Sequence, residues 1–207
     1  MESKLKPWEL VAIPLLLALL NLQNLASAVP QVPSYFIFGD SISDSGNNNK
    51  LAKLAKVNYP PYGIDFPEGP TGRYSNGRTV HDFIDYMLPF AESNEKNIFN
   101  GVNYASGATG IRDETGQHRI KNHKTIISRI TSLMRNDSAT KSLLSQCIYS
   151  IQIGSNGYLN NYFMSELYDT RLYSQCGYAT LLVQQLSDQL KVIDIHFSTT
   201  QANAPPT

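Results

Sequence analysis

Tyr35-Phe36-Ile37-Phe38-Gly39-Asp40-Ser41-Ile42-Ser43-Asp44-Ser45-Gly46-Asn47-Asn48-Asn49 decides how the chain is read. Tyr35 to Phe38 is an aromatic and β-branched run of the kind that forms buried strands. It breaks at Gly39-Asp40-Ser41 into a polar loop rich in Gly and Asn, so Ser41 sits at the end of a strand as a candidate nucleophile.

Two further apolar runs end the same way. Gly101-Val102-Asn103-Tyr104-Ala105 is a short candidate strand that breaks at Ser106-Gly107-Ala108-Thr109-Gly110, and Cys147 to Ile153 is a strand that breaks at Gly154-Ser155-Asn156-Gly157. Helical periodicity fills the intervals. Val80, Phe83, Ile84, Met87 and Leu88 predict an amphipathic helix from about Thr79 to Pro89, with His81 at its solvent edge. Ile126, Ile130, Leu133 and Met134 predict one over roughly 123–135, which leaves His118 in a polar loop, at most lining a cleft, and His123 at a helix start. A short helix from Ala139 to Ser145 takes Ser138 as its cap, and another runs from Tyr178 to Lys191. Val192 to Phe197 reads as one more strand, before a polar tail. Strands alternating with helices predict a three-layer α/β fold on a parallel sheet. In such sheets ligands bind outside the carboxyl ends of the strands. Ser41, Gly107 and Asn156 each follow such an end: a hydroxyl that needs a base, a backbone N–H, and an amide that does not titrate, the last two suited to a developing oxyanion.

Composition is compatible with this reading and closes others. The 207 residues carry a formal net charge of +0, with 42% hydrophobic and 16% charged residues. That is a globular mix with no electrostatic case for a nucleic-acid partner. No metal cluster, phosphate loop or nucleotide fingerprint is present, so no cofactor is implied. Lys4 and Lys6, the apolar run Val11 to Leu20 and Ala26-Ser27-Ala28 form the three parts of a signal peptide over residues 1–28. Cleavage leaves one exported domain and no stable membrane insertion. Cys147 and Cys176 are too few for a disulfide scaffold, and no bridge is expected between them. Asn136-Asp137-Ser138 is a glycosylation sequon between two helical patterns.

Taken together, Phe38-Gly39-Asp40-Ser41, Ser43-Asp44-Ser45-Gly46-Asn47-Asn48, Gly72-Arg73-Tyr74-Ser75-Asn76-Gly77-Arg78, Asn103-Tyr104-Ala105-Ser106-Gly107 and Gly154 to Phe163 resemble the plant GDSL esterase/lipase group of the SGNH hydrolases. The resemblance covers about Tyr35 to Lys191, so residues 29–191 read as the amino-terminal part of that domain and 192–207 as a divergent tail. It implies a secreted hydrolase of small-molecule or lipid esters on a flavodoxin-like sheet. Ser41 is then the nucleophile, and Gly107 and Asn156 complete the oxyanion hole. Two departures stand out. Gly157 replaces an Asp that braces the asparagine loop, and glycine is expected to loosen it. The family's Asp-x-x-His general base has no counterpart, which predicts a truncated chain of low or no activity; the alternative is an inactive exported protein that binds lipid or glycan esters. Asp194-Ile195-His196 would share a face only on a strand.

Overall fold

A computed structural model describes Trp8 and residues 31–52, 54–164 and 172–198, with side chains to residue 193. The chain divides into Met1–Gln31 and Val32–Thr207; everything below concerns the second unit. The signal-peptide reading and the polar tail after Ser198 fall outside the described residues, Trp8 apart.

β1 (Tyr35–Gly39) pairs in parallel with β2 (Ile148–Gln152), in the register Tyr35↔Ile148 to Gly39↔Gln152. On the other side of β1 the segment around Asn103 runs parallel as well. It forms one bridge to Ile37, reinforced by Ile37 N–H to Val102 O at 3.1 Å and Tyr104 N–H to Ile37 O at 2.8 Å. Asn103 bridges in turn to Pro89. Every residue of β1 is buried, as expected of a central strand.

Side-chain alternation sorts the core into two faces. Phe36 and Phe38 pack with Val102 and Tyr104 against Ile126, Ile127 and Ile130 of α1 (Asp113–Met134), Leu144 of α2 (Asp137–Leu144) and Ile193 of α3 (Gln175–Ser198). Tyr35, Ile37, Met87 and Ala105 form a smaller cluster on the opposite face. The described helices thus lie on one face of a small parallel sheet.

Several expectations are corrected here. The helix expected from Thr79 to Pro89 is a single 3-10 turn, Val80–Phe83. Two interactions override the apolar period. The Asp82 carboxylate accepts from Thr79 N and from Arg73, 2.5 Å away, and the Arg73 guanidinium stacks over Phe66 at 4.2 Å. Downstream, Leu88 O and Phe90 N are recruited by Asn103, which needs extended backbone. Val80, Phe83 and Ile84 are therefore exposed, and His81, expected at the surface, is buried.

α1 begins at Asp113, ten residues before the expected 123. Its first turn carries Asp113 and Glu114, which favour a helix start. The buried face of its first half consists of Gly116, Arg119 and His123, not aliphatic residues, so no hydrophobic period announces it. His118 and His123 accordingly lie inside the helix, and His123 belongs to the core. α2 is capped by Asn136, whose Oδ1 accepts from Ala139 N at 2.9 Å, rather than by Ser138. Cys176 lies in α3, and both cysteines are free. Val192 to Phe197 continue α3 instead of forming a strand. That removes the shared-face spacing suggested for Asp194 and His196, because positions i and i+2 do not face each other on a helix.

Candidate active site at three strand ends

The parallel register places the three junctions side by side. Gly39 lies opposite Gln152 of β2, and on its other side its carbonyl accepts from Ser106 N at 3.3 Å. The chain leaving β1 through Asp40 and Ser41 therefore runs between the turn at Gly107 and the turn at Gly154.

Side chains tie the turns together. Ser155 Oγ donates to Asp40 Oδ2 at 2.9 Å, joining the third junction to the residue before Ser41. The Asn156 amide donates to Thr109 O at 3.0 Å, joining the third to the second. Asp44 joins the first to the second: Oδ1 accepts from Gly46 N and Asn47 N, and Oδ2 from Gly107 N at 2.8 Å. Asn48 donates to Gly107 O at 3.1 Å. Asn103 sends its amide to Ser43 O at 2.7 Å, while Asn47 holds Asn103 O and Ala105 O. Almost every bond in this web pairs a side chain with backbone, which is how an irregular loop satisfies its buried peptide groups.

Within the web Ser41 opens a short 3-10 turn, Ser41–Ser43, capped by the Asp40 carboxylate on Ile42 N. Among the described residues no hydrogen bond engages the Ser41 hydroxyl. The Gly107 N–H is directed at Asp44 Oδ2, and the turn is roofed by Tyr74: a Cβ at Gly107 would stand 2.1 Å from the phenol oxygen. Asn156 immediately precedes a π-helical turn, Gly157–Tyr162, and its Oδ1 accepts from Asn160 at 2.9 Å. Gly157 does not loosen this segment. It is buried, its N–H donates to Gly154 O at 3.0 Å, and its carbonyl accepts from Tyr178 Oη of α3 at 2.8 Å. A Cβ there would come within 3.2 Å of Leu182, so glycine lets α3 close on the loop.

Beneath the site Arg119 is buried, with its guanidinium on Gly39 O at 3.3 Å and Gly110 O at 3.0 Å. Burial lowers its pKa to about 10, opposed by the negative Asp40. It stays cationic at neutral pH and braces the first two junctions from below.

Sequence reasoning missed a serine–histidine pair. Ser43 Oγ lies 2.9 Å from His81 Nε2, and His81 Nδ1 lies 2.7 Å from Tyr35 Oη. Ser43 donates its proton to Gln152 Oε1 at 3.1 Å, so His81 Nε2 must carry a hydrogen and donate to Ser43, while Nδ1 accepts from Tyr35. An imidazole that donates to a hydroxyl is not acting as its base, and both residues are buried. The pair is structural. His123 is likewise committed to the core, its Nδ1 3.2 Å from Tyr104 Oη. Among the described residues no histidine is bonded to Ser41, and no group of His, Cys, Asp and Glu could hold a metal ion.

The GDSL-like lipase/acylhydrolase family model matches residues 35–202. Three Arabidopsis thaliana proteins named GDSL esterase/lipase are 45%, 44% and 43% identical, over 86%, 87% and 93% of this chain. The matches cover 54%, 55% and 57% of those proteins, so the chain spans about half the length of these relatives. No solved structure matches it. With its strand-end serine and the two turns flanking it, the chain belongs to the GDSL-like lipase/acylhydrolase family.

Proposed function

We propose that this chain carries the nucleophile half of a serine ester hydrolase acting on small-molecule or lipid esters. Ser41 attacks the acyl carbonyl, and donors from the Gly107 and Asn156 turns stabilise the oxyanion. The observation that carries the reading is the register, which sets Ser41 between those two turns with its hydroxyl unbonded among the described residues. In this reading the Gly107 N–H leaves Asp44 Oδ2 when the oxyanion forms, and Asn156, with one amide hydrogen given to Thr109 O, supplies the other as the second donor. The complete α/β/α architecture, with a second helical layer opposite α1, belongs to the same proposal.

A base is required for efficient turnover. None of the described histidines is bonded to Ser41, which favours a low rate for this chain acting alone. A serine hydrolase deprived of one triad member retains roughly 10³–10⁴-fold catalysis over water. Short-chain nitrophenyl ester hydrolysis by the purified chain, compared with Ser41→Ala, tests the reading, alongside labelling by a fluorophosphonate. Labelling at Ser41 and a rate lost in the alanine variant are expected; equal rates and no label would leave a non-catalytic ester-binding protein.

Export completes the proposal. Met1 to Ala28 acts as a cleaved signal, and no helix among the described residues is long and apolar enough to cross a membrane. Asn136, exposed ahead of α2, is then available for glycosylation. A secreted product beginning near Val29, with a glycosidase-sensitive mass shift lost in Asn136→Gln, is the expected result.

A further inference from the structure

A cavity of about 440 Å³ opens between α1 and the segment that leads into the second junction. Its size falls within the range of small-molecule sites. Leu51, Phe90, Ala91 and Tyr104 give it apolar walls, and its floor includes Ser106, the residue before Gly107. The polar atoms at the floor are already committed. Ser106 Oγ donates to Asn48 Oδ1 at 2.5 Å, and Asn47 is spent on Asn103 O, Ala105 O and Ala91 N. A ligand meets no unsatisfied donor there and gains by presenting apolar surface. The α1 wall differs: His118 and Asn122, four residues apart and so on one helix face, are polar and half-buried.

We propose that this cavity receives the acyl chain of the ester attacked at Ser41. The inference rests on the reading of Ser41 as nucleophile and on one link between the two places: Ser106, which lines the cavity, immediately precedes Gly107 in the chain. At about 30 Å³ per water-sized atom the volume accommodates roughly fifteen such atoms, enough for a chain of about ten carbons. An acetyl group would leave the cavity mostly empty, and a chain much longer would project past Leu51. The carbonyl end lies toward the Gly107 turn, and the apolar body lies along Phe90 and Tyr104.

Titration of the purified chain with dansyl-undecanoic acid, followed by dansyl fluorescence, tests this without requiring turnover. Saturable binding is expected in the native chain and in Ser41→Ala. Ala91→Trp fills the cavity and Leu51→Glu sets a carboxylate against the chain. Both positions are exposed, so the fold tolerates the changes, and each should weaken binding at least tenfold. Ile84→Ser, on the separate exposed turn, should bind as the native chain does. No saturable binding, or unchanged affinity in both Ala91→Trp and Leu51→Glu, overturns the proposal. Failure of the nucleophile reading looks different: fluorophosphonates leave Ser41 unlabelled while the dansyl acid still binds in an Ala91-dependent way. Where labelling does occur, alkyl phosphonates of about eight to ten carbons should label Ser41 faster than a methyl phosphonate, and Ala91→Trp should erase that preference. Retention of the preference in Ala91→Trp places the acyl chain elsewhere.

Discussion

Ser43 Oγ and His81 Nε2 are 2.9 Å apart in the interior, two residues along the chain from the half-buried Ser41. The bond closes a four-member chain, Tyr35 to His81 to Ser43 to Gln152, in which each hydroxyl and ring nitrogen has one defined role. It fastens the start of the Ser41 loop to β1, to the end of β2 and to the turn at Val80–Phe83.

The chain makes stability depend on pH. Burial pushes the His81 pKa below its ordinary value, against weaker opposing effects of Gln152 and Asp82. The folded protein thus holds His81 neutral where the unfolded chain binds a proton. The contribution is complete above the unfolded pKa of about 6.5 and declines as pH falls from there toward the lowered folded value. Thermal unfolding between pH 7.5 and 5 should show a falling midpoint, and His81→Gln should flatten that acid limb while lowering the midpoint at neutral pH.

Asp44 accepts three backbone N–H groups, and its loss leaves all three without that partner. Asp44→Ala should cost about 3 kcal/mol, several times the loss for an ordinary surface residue. Asp44→Asn should fare little better, since one amide face presents hydrogens to donors. Denaturant midpoints measure both.

Gly107 is compatible only with the space Tyr74 leaves. Gly107→Ala should destabilise strongly, because the added methyl overlaps the Tyr74 phenol. The double variant with Tyr74→Ala should recover part of the loss, giving a coupling energy of about 1–3 kcal/mol in a double-mutant cycle.

Tyr178→Phe removes the only hydroxyl bonded to the Gly157 carbonyl among the described residues. The expected cost is about 1–2 kcal/mol. Faster amide exchange in the Gly157–Tyr162 turn should accompany it, with little change in α1.

β1 and β2 were legible because their apolar runs are short, β-branched or aromatic, and end in glycine, whereas the run Gly101 to Ala105 forms only a bridge at Asn103 and Val192 to Phe197 continue α3. Parallel pairing of β1 with β2 and with the segment at Asn103 sets the turns after Gly39, Ala105 and Gln152 at one end of the sheet. α1 was half legible: its second half has Ile126, Ile127 and Ile130, while its first half buries Gly116, Arg119 and His123, which no hydrophobic period reveals. The segment after Thr79 misled for the opposite reason, since a good helical period was overruled by Arg73 reaching Asp82 and by Asn103 claiming Leu88 and Phe90. His81 was misjudged by its neighbours; Tyr35 and Ser43, forty-six and thirty-eight residues away, identify it as an interior residue. The Asn47, Asn48 and Asp44 bonds were invisible for a similar reason, as their partners lie in another loop.

Those separations govern when the site takes shape. Asn47 to Asn103, Asn48 to Gly107 and Asp44 to Gly107 span 56, 59 and 63 residues. Each closes a long loop whose entropy must be lost before the bond returns anything. α1 and α2 can form from local contacts, whereas the Ser41 loop must wait until the chain beyond Gly107 has collapsed onto β1. The end of the sheet that carries the candidate site is thus the late-ordering part of this fold, and its amides should be among the first to exchange when the native state opens locally.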